Sequence, residues 1–178
     1  NPITKTAYIT VANKPALPII TGYTSTCIND TNVYMSLDKS SQYTWTVTGG
    51  NIISGQNTDS LVVVWNSIGN KNISLKLTNA SGCESAIKNL PVKIFDKPSL
   101  SAINGLTEYC QNDTAIYSVN TNATYILWEV DGGEIIGRDD SAIVKVVWKK
   151  YAFNNSIKIN VSNGAGCKNL TNSLNIIT

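Results

Sequence analysis

Histidine is absent from all 178 residues. With it goes the side chain that most often moves protons near neutral pH and completes mixed zinc sites. No Gly-x-Ser-x-Gly elbow and no Cys-x-x-Cys pair occurs, which removes the common hydrolase nucleophile and weakens zinc-finger and thioredoxin-like readings. Charged residues make up only 15% and leave a net charge of +2 with no basic stripe, which argues against nucleic acid and against an anionic membrane surface. No run of 18 apolar residues exists, so no direct membrane insertion is expected, and solubility rests on Asn, Ser and Thr. The start, Asn1-Pro2-Ile3-Thr4-Lys5, lacks the charged-then-apolar layout of a signal peptide, so a mature or excised segment is expected.

What the chain has is self-similarity. Adding 83 carries Cys27, Asn29, Asp30, Thr31, Tyr34, Trp45, Gly49, Gly50 and Trp65 onto Cys110, Asn112, Asp113, Thr114, Tyr117, Trp128, Gly132, Gly133 and Trp148. Beyond Trp65 the offset becomes 84, so Ile73, Asn79, Gly82, Cys83 and Leu90 fall on Ile157, Asn163, Gly166, Cys167 and Leu174. A fixed period of this size means a tandem array of like modules, each large enough for its own core. Modules of about 80 residues are small enough to benefit from a covalent staple, and there are two cysteines for each.

Four cysteines allow three connectivities, and only Cys27–Cys83 with Cys110–Cys167 respects the module boundary. Such loops would stabilise each module by ~4 kcal/mol on the chain-entropy model. Persistent disulfides belong to oxidising surroundings, so an extracellular, cell-surface protein is expected; the alternative is buried free thiols in a cytosolic one.

Period two dominates. Tyr43, Trp45 and Val47 alternate with threonines, and Ile126, Trp128 and Val130 with Leu127, Glu129 and Asp131. Lys145 should face water, so Val144, Val146 and Trp148 face inward, and by transfer so do Leu61, Val63 and Trp65. Ile73, Leu75 and Leu77, with Ile157, Ile159 and Val161, repeat the alternation. The last strands read Leu90, Val92, Ile94 and Leu174, Ile176. Around Tyr34 the two modules suggest opposite registers: Val33, Met35 and Leu37 inward in one, Ala115, Tyr117 and Val119 inward in the other. Short strands separated by Gly-rich turns, without a helical stretch, predict an all-β protein of two immunoglobulin-like β-sandwich modules.

An offset of 83 also aligns Ala7, Ile9, Val11, Lys14, Pro15 and Gly22 with Leu90, Val92, Ile94, Lys97, Pro98 and Gly105. Residues 1–13 therefore read as the last strand of a preceding repeat or a leftover boundary strand, 14–96 as the first repeat and 97–178 as the second. Lys14-Pro15 and Lys97-Pro98 mark short, stiff junctions, which favour an extended array. Each module is expected to add roughly 30–40 Å, from strands of six to eight residues at about 3.3 Å apiece plus loops.

The order Cys27, Asn29-Asp30-Thr31, Tyr34, Tyr43-x-Trp45-x-Val47-x-Gly49-Gly50, Trp65 and Asn79-x-x-Gly82-Cys83, mostly repeated in the second module, resembles the PKD-like repeats of Bacteroidetes surface proteins. It departs from the Trp-Asp-Phe-Gly-Asp-Gly form of that motif at Trp45-Thr46-Val47-Thr48-Gly49-Gly50 and at Trp128-Glu129-Val130-Asp131-Gly132-Gly133. The resemblance implies an immunoglobulin-like module that spaces and displays the binding regions of giant adhesins, including gliding adhesins exported by type IX secretion. Similar modules also accompany secreted hydrolases.

No enzyme activity, catalytic residue, metal or cofactor is expected. Glu129 and Glu134 have the residue types of a glycosidase pair, but their first-module counterparts are Thr46 and Asn51, which makes them ordinary turn charges. Asp131, Glu134, Asp139 and Asp140 offer hard oxygen ligands without EF-hand spacing, and only Asp59 lies nearby in the first module. Ser60, Thr114 and Ser141 each follow an aspartate and precede an apolar residue, like a short bacterial O-glycosylation acceptor; turn capping explains such hydroxyls equally well. Asn72-Ile73-Ser74 and Asn79-Ala80-Ser81 match the eukaryotic N-linked sequon, which an Asn-rich chain produces freely. Tyr151 and Phe153 stand where the first module has Ile68-Gly69-Asn70, so they are the candidate ligand-contact residues of a module-specific loop. The expected partners are neighbouring repeats of the same chain and surface polysaccharide or glycans.

Overall fold

The computed structural model describes residues 5, 10–40, 42–149, 154–169 and 172–178. The chain divides into two compact units, Asn1–Ile94 and Phe95–Thr178. Every regular element among the described residues is a strand.

The first unit contains β1 (Ile20–Thr21), β2 (Ser25–Cys27), β3 (Thr31–Ser36), β4 (Gln42–Thr48), β5 (Gly50–Ser54), β6 (Ser60–Trp65), β7 (Gly69–Thr78) and β8 (Lys88–Phe95). They form two sheets of four strands, β1-β3-β6-β5 and β2-β8-β7-β4. The second unit contains β9 (Thr114–Ser118), β10 (Tyr125–Asp131), β11 (Gly133–Ile136), β12 (Ile143–Trp148), β13 (Asn155–Ser162) and β14 (Asn172–Ile176), paired as β11-β12-β9 and β10-β13-β14. Isolated bridges complete the likeness: Asn104 pairs with Ser118 where β1 meets β3, and Glu108 runs parallel to Ile177.

The alternation read from sequence places the core correctly. Leu61, Val63 and Trp65 are buried on β6, as are Val144, Val146 and Trp148 on β12. Ile73, Leu75 and Leu77 on β7 face the same interior as Trp45, and Ile157, Ile159 and Val161 on β13 face that of Trp128. Such burial is the main favourable term in a domain of this size.

The ambiguous strand is decided by its tyrosine. Tyr34 and Tyr117 are both fully buried, while Val33, Met35 and Leu37 are exposed. In each unit the tyrosine hydroxyl accepts the indole N–H of the tryptophan closing the neighbouring strand, Trp65 to Tyr34 at 3.2 Å and Trp148 to Tyr117 at 3.0 Å. The rings meet edge to face, 6.2 Å apart in both. Turning β3 over would bury three aliphatic chains but leave that indole donor without an acceptor, a cost of about 1–3 kcal/mol.

Candidate functional site

Two turns repeat in each unit, at opposite ends of the sandwich. The first begins at Cys27. Asn29 takes the left-handed conformation (φ 64°), its N–H donates to the Trp65 carbonyl at 2.7 Å, and the Asp30 N–H returns to the Cys27 carbonyl at 3.1 Å. Asn112 does the same in the second unit (φ 71°), with N–H to Trp148 O at 2.7 Å and Asp113 N–H to Cys110 O at 3.1 Å. Asparagine tolerates this region better than most residues, which explains the Cys-x-Asn-Asp-Thr pattern. These are the exit turns, beside the last strand of each module.

The second turn holds the other cysteine. The Asn79 carboxamide oxygen accepts N–H bonds from Ser81 (3.0 Å) and Cys83 (2.9 Å), while its Nδ2 donates to the carbonyl of Asn13 at 2.7 Å. Asn163 accepts from Ala165 (3.0 Å) and Cys167 (2.9 Å) and donates to Asp96 at 2.6 Å. Gly82 and Gly166 supply the positive φ, +80° and +81°, that closes each turn. Each asparagine thus clasps the segment that feeds into its own module. In the second unit the clasp is extended by Asn169 on Pro98 (2.6 Å) and Asn172 on Ser101 (2.7 Å). These are the entrance turns. The clasp went unrecognised in the sequence, although its signal, Asn-x-x-Gly-Cys, stood in both repeats.

The expected bridges Cys27–Cys83 and Cys110–Cys167 are not formed. Cys83 and Cys110 carry free thiols, whereas Cys27 and Cys167 are disulfide-bonded. Strand register explains the correction. β7 runs from Gly69, opposite Ile94, to Thr78, opposite Gln42; Cys27 lies at the first end and Cys83 just past the second. Ten extended residues span ~30 Å. A disulfide needs its Cα atoms within about 7 Å. The cysteines bracket the tryptophans in sequence but not in space, so Trp45 and Trp128 pack in cores without an adjoining in-module bridge. Their indole nitrogens donate to Thr58 O (2.9 Å) and Ser141 O (2.8 Å).

The remaining candidates do not converge. Asp140 forms a two-pronged pair with Arg138 at 2.7 and 3.1 Å, whose hydrogen bonds hold its carboxyl below the usual range. Glu134 approaches Lys149 at 4.0 Å, and Glu129 approaches Lys158 at 3.4 Å. Asp131 and Asp139 complete that candidate set, and no group of three metal-ligating side chains assembles among the described residues. Ser60 and Ser141 are half-buried and Thr114 is exposed, each at or just before the start of a strand. The Ser141 hydroxyl accepts the Ile143 N–H at 3.4 Å, a local cap. Tyr151 and Phe153 lie outside the described residues.

Two like sandwiches built on one motif define a tandem β-sandwich repeat. The chain belongs to the PKD-like domain family, which matches residues 13–92 and again 97–176. No curated protein matches it. Among solved structures it is similar to the fibronectin(III)-like modules of Clostridium thermocellum CbhA, at 15% identity over 90% of this chain and 94% of that one with a TM-score of 0.43. It is also similar to extracellular domains 3–5 of Drosophila OTK, at 12% identity over 93% and 59% with a TM-score of 0.47. The D00–D0 domain of intimin matches at 10% identity over 90% and 100%, TM-score 0.33. Family and disulfide together suggest an extracellular or secreted protein, in keeping with a non-catalytic spacer or adhesin module. No helix of the described residues is long and apolar enough to cross a membrane.

Proposed function

We propose that this chain is a stalk segment of a large bacterial cell-surface adhesin, of the kind Bacteroidetes export by type IX secretion for adhesion or gliding, spacing its binding regions from the cell. The observation that carries this reading is what the two repeats share: an aromatic core and an asparagine clasp on the incoming segment, Asn79 to Asn13 and Asn163 to Asp96. The cores hold each module together, the clasps hold the segment entering it, and neither builds a reactive pocket. Tyr117 in the second core and Tyr34 in the first are the same load-bearing anchor in this reading, buried and hydrogen-bonded. Any O-linked sugars at Ser60, Thr114 or Ser141 would decorate such a stalk. An antibody raised against the segment should label intact, unpermeabilised source cells. Staining only after lysis would overturn the proposal.

A second reading, a glycan-binding module or an accessory module of a secreted hydrolase, is supported by one feature of the second repeat. Tyr125 is 62% exposed and borders a concavity of about 440 Å³ with Leu127, Glu129 and Lys158, whereas Gln42 and Thr44 occupy the positions of Tyr125 and Leu127 in the first repeat. Binding on a glycan array that disappears in Tyr125→Ala would favour this reading, and a blank array would favour the spacer.

A further inference from the structure

The two oxidised cysteines are not repeat counterparts. Cys27 belongs to an exit turn and Cys167 to an entrance turn, and both are disulfide-bonded. Exit-turn Cys110 and entrance-turn Cys83 are both free. Each kind of turn is therefore present once oxidised and once reduced on matching backbone: Asn29 and Asn112 share their left-handed φ, and Cys83 and Cys167 share the 2.9 Å bond to their asparagine. The backbone that serves a bridge in Cys27 and Cys167 is already in place at the two free positions.

The surroundings of the two free thiols are complementary. Cys110 is exposed in a concavity of about 710 Å³ lined by Leu106, Glu108, Asp113, Thr114 and Ile177. Leu106 is 70% exposed and Ile177 42%, so an apolar patch with two carboxylates frames the thiol. In the first unit, the concavity beside the Cys83 turn, about 450 Å³, is lined by Lys14, Pro15, Lys39 and the clasp residues Asn13 and Asn79. Two carboxylates frame the Cys110 thiol; near the Cys83 turn Lys39 is paired with Asp59 at 3.0 Å and Glu84 with Lys76 at 2.6 Å, so Lys14 tips that end to positive charge and favours the meeting of unlike ends.

We propose that Cys110 and Cys83 are the unfilled halves of a head-to-tail disulfide: the exit-turn cysteine of one copy of this chain bonds the entrance-turn cysteine of a second copy. With glutathione disulfide as oxidant the chemistry balances. The Cys110 sulfur attacks one glutathione sulfur and releases one glutathione; the Cys83 sulfur of the second copy then attacks the Cys110 sulfur and releases the other. Two protein thiols are oxidised, one glutathione disulfide is reduced, and the two protons lost by the protein thiols are taken up by the two released glutathione sulfurs. The inference does not depend on the adhesin reading, and its failure would leave the cell-labelling result untouched.

Cys83→Ser and Cys110→Ser remove only free thiols. Mixed in equal amounts with glutathione disulfide, the two variants should form a dimer at least about tenfold faster than either alone, because opposite charges favour the encounter of unlike ends. A non-reduced digest of that dimer should contain a peptide joining Cys110 to Cys83. Glu108→Lys with Asp113→Lys in the Cys83→Ser chain should slow coupling several-fold, and Lys14→Glu with Lys39→Glu in its partner should restore it. Equal rates in the mixed and single-variant samples, no dimer, or a linkage through other cysteines would overturn the proposal.

Discussion

The side-chain amide of Asn79 donates to the backbone carbonyl of Asn13, 2.7 Å away and 66 residues earlier in the chain. Because the same carboxamide also organises the Asn79–Cys83 turn, one residue fixes both the end of a sandwich and the segment that enters it. Asn163 repeats the arrangement on Asp96.

Replacing Asn163 with Ala removes one donated and two accepted bonds. The expected cost is about 1–3 kcal/mol, measured by chemical denaturation. Hydrogen exchange should accelerate at Ala165 and Cys167, whose N–H groups lose their acceptor. Unchanged exchange at both amides would show that the clasp does not hold the turn.

Alkylation of the native protein without reductant should add two labels, at Cys83 and Cys110, and two more after reduction and unfolding. Mass spectrometry of the digest checks the positions. Four labels before reduction, or none, would contradict the observed oxidation states.

Tyr34 and Tyr117 should make the fold sensitive to alkali. Burial raises both hydroxyls above the ordinary 10.0, partly opposed by the indole N–H bonds from Trp65 and Trp148. A proton held more tightly in the folded than in the unfolded state contributes stability that is complete below pH 10 and is lost as pH rises through the folded values. Thermal midpoints should therefore fall above pH 10, and the fall should shrink in the double variant Tyr34→Phe/Tyr117→Phe. An identical pH profile in wild type and variant would refute the assignment.

Two glycines with nearly equal φ should respond differently to alanine. Gly166 (φ +81°) has nothing within 4 Å of where a Cβ would sit, so Gly166→Ala should cost only the conformational penalty, about 1 kcal/mol. At Gly132 (φ +85°) the new Cβ would lie 1.9 Å from Asn155 Oδ1, and a cost of about 3 kcal/mol or more is expected. Denaturation midpoints of the two variants decide this, and equal losses would remove the distinction.

Much of the fold was legible because sandwich strands advertise their buried side every second residue. Lys145 oriented β12, and transfer across the repeat then oriented β6, whose own run of Leu61-Val62-Val63-Val64-Trp65 shows no alternation. The Tyr34 strand was harder because Val33, Met35 and Leu37 are apolar yet face outward. What overrode them was a hydrogen bond to an indole on another strand, which no local window contains. The candidate site was less legible. The asparagines and cysteines stood out as repeated residues, but the expected disulfides followed from module boundaries, and boundaries say nothing about which end of a sandwich a turn occupies.

The sequence by itself determined that there are two like modules, that they are all-β, and which faces of most strands are buried, since each follows from period and composition. Only the tertiary structure decided the oxidation state of each cysteine and the partner of each asparagine. Antiparallel register carries Cys27 and Cys83 to opposite ends of ten-residue β7, and proximity between residues so far apart along the chain arises only when the sheets assemble.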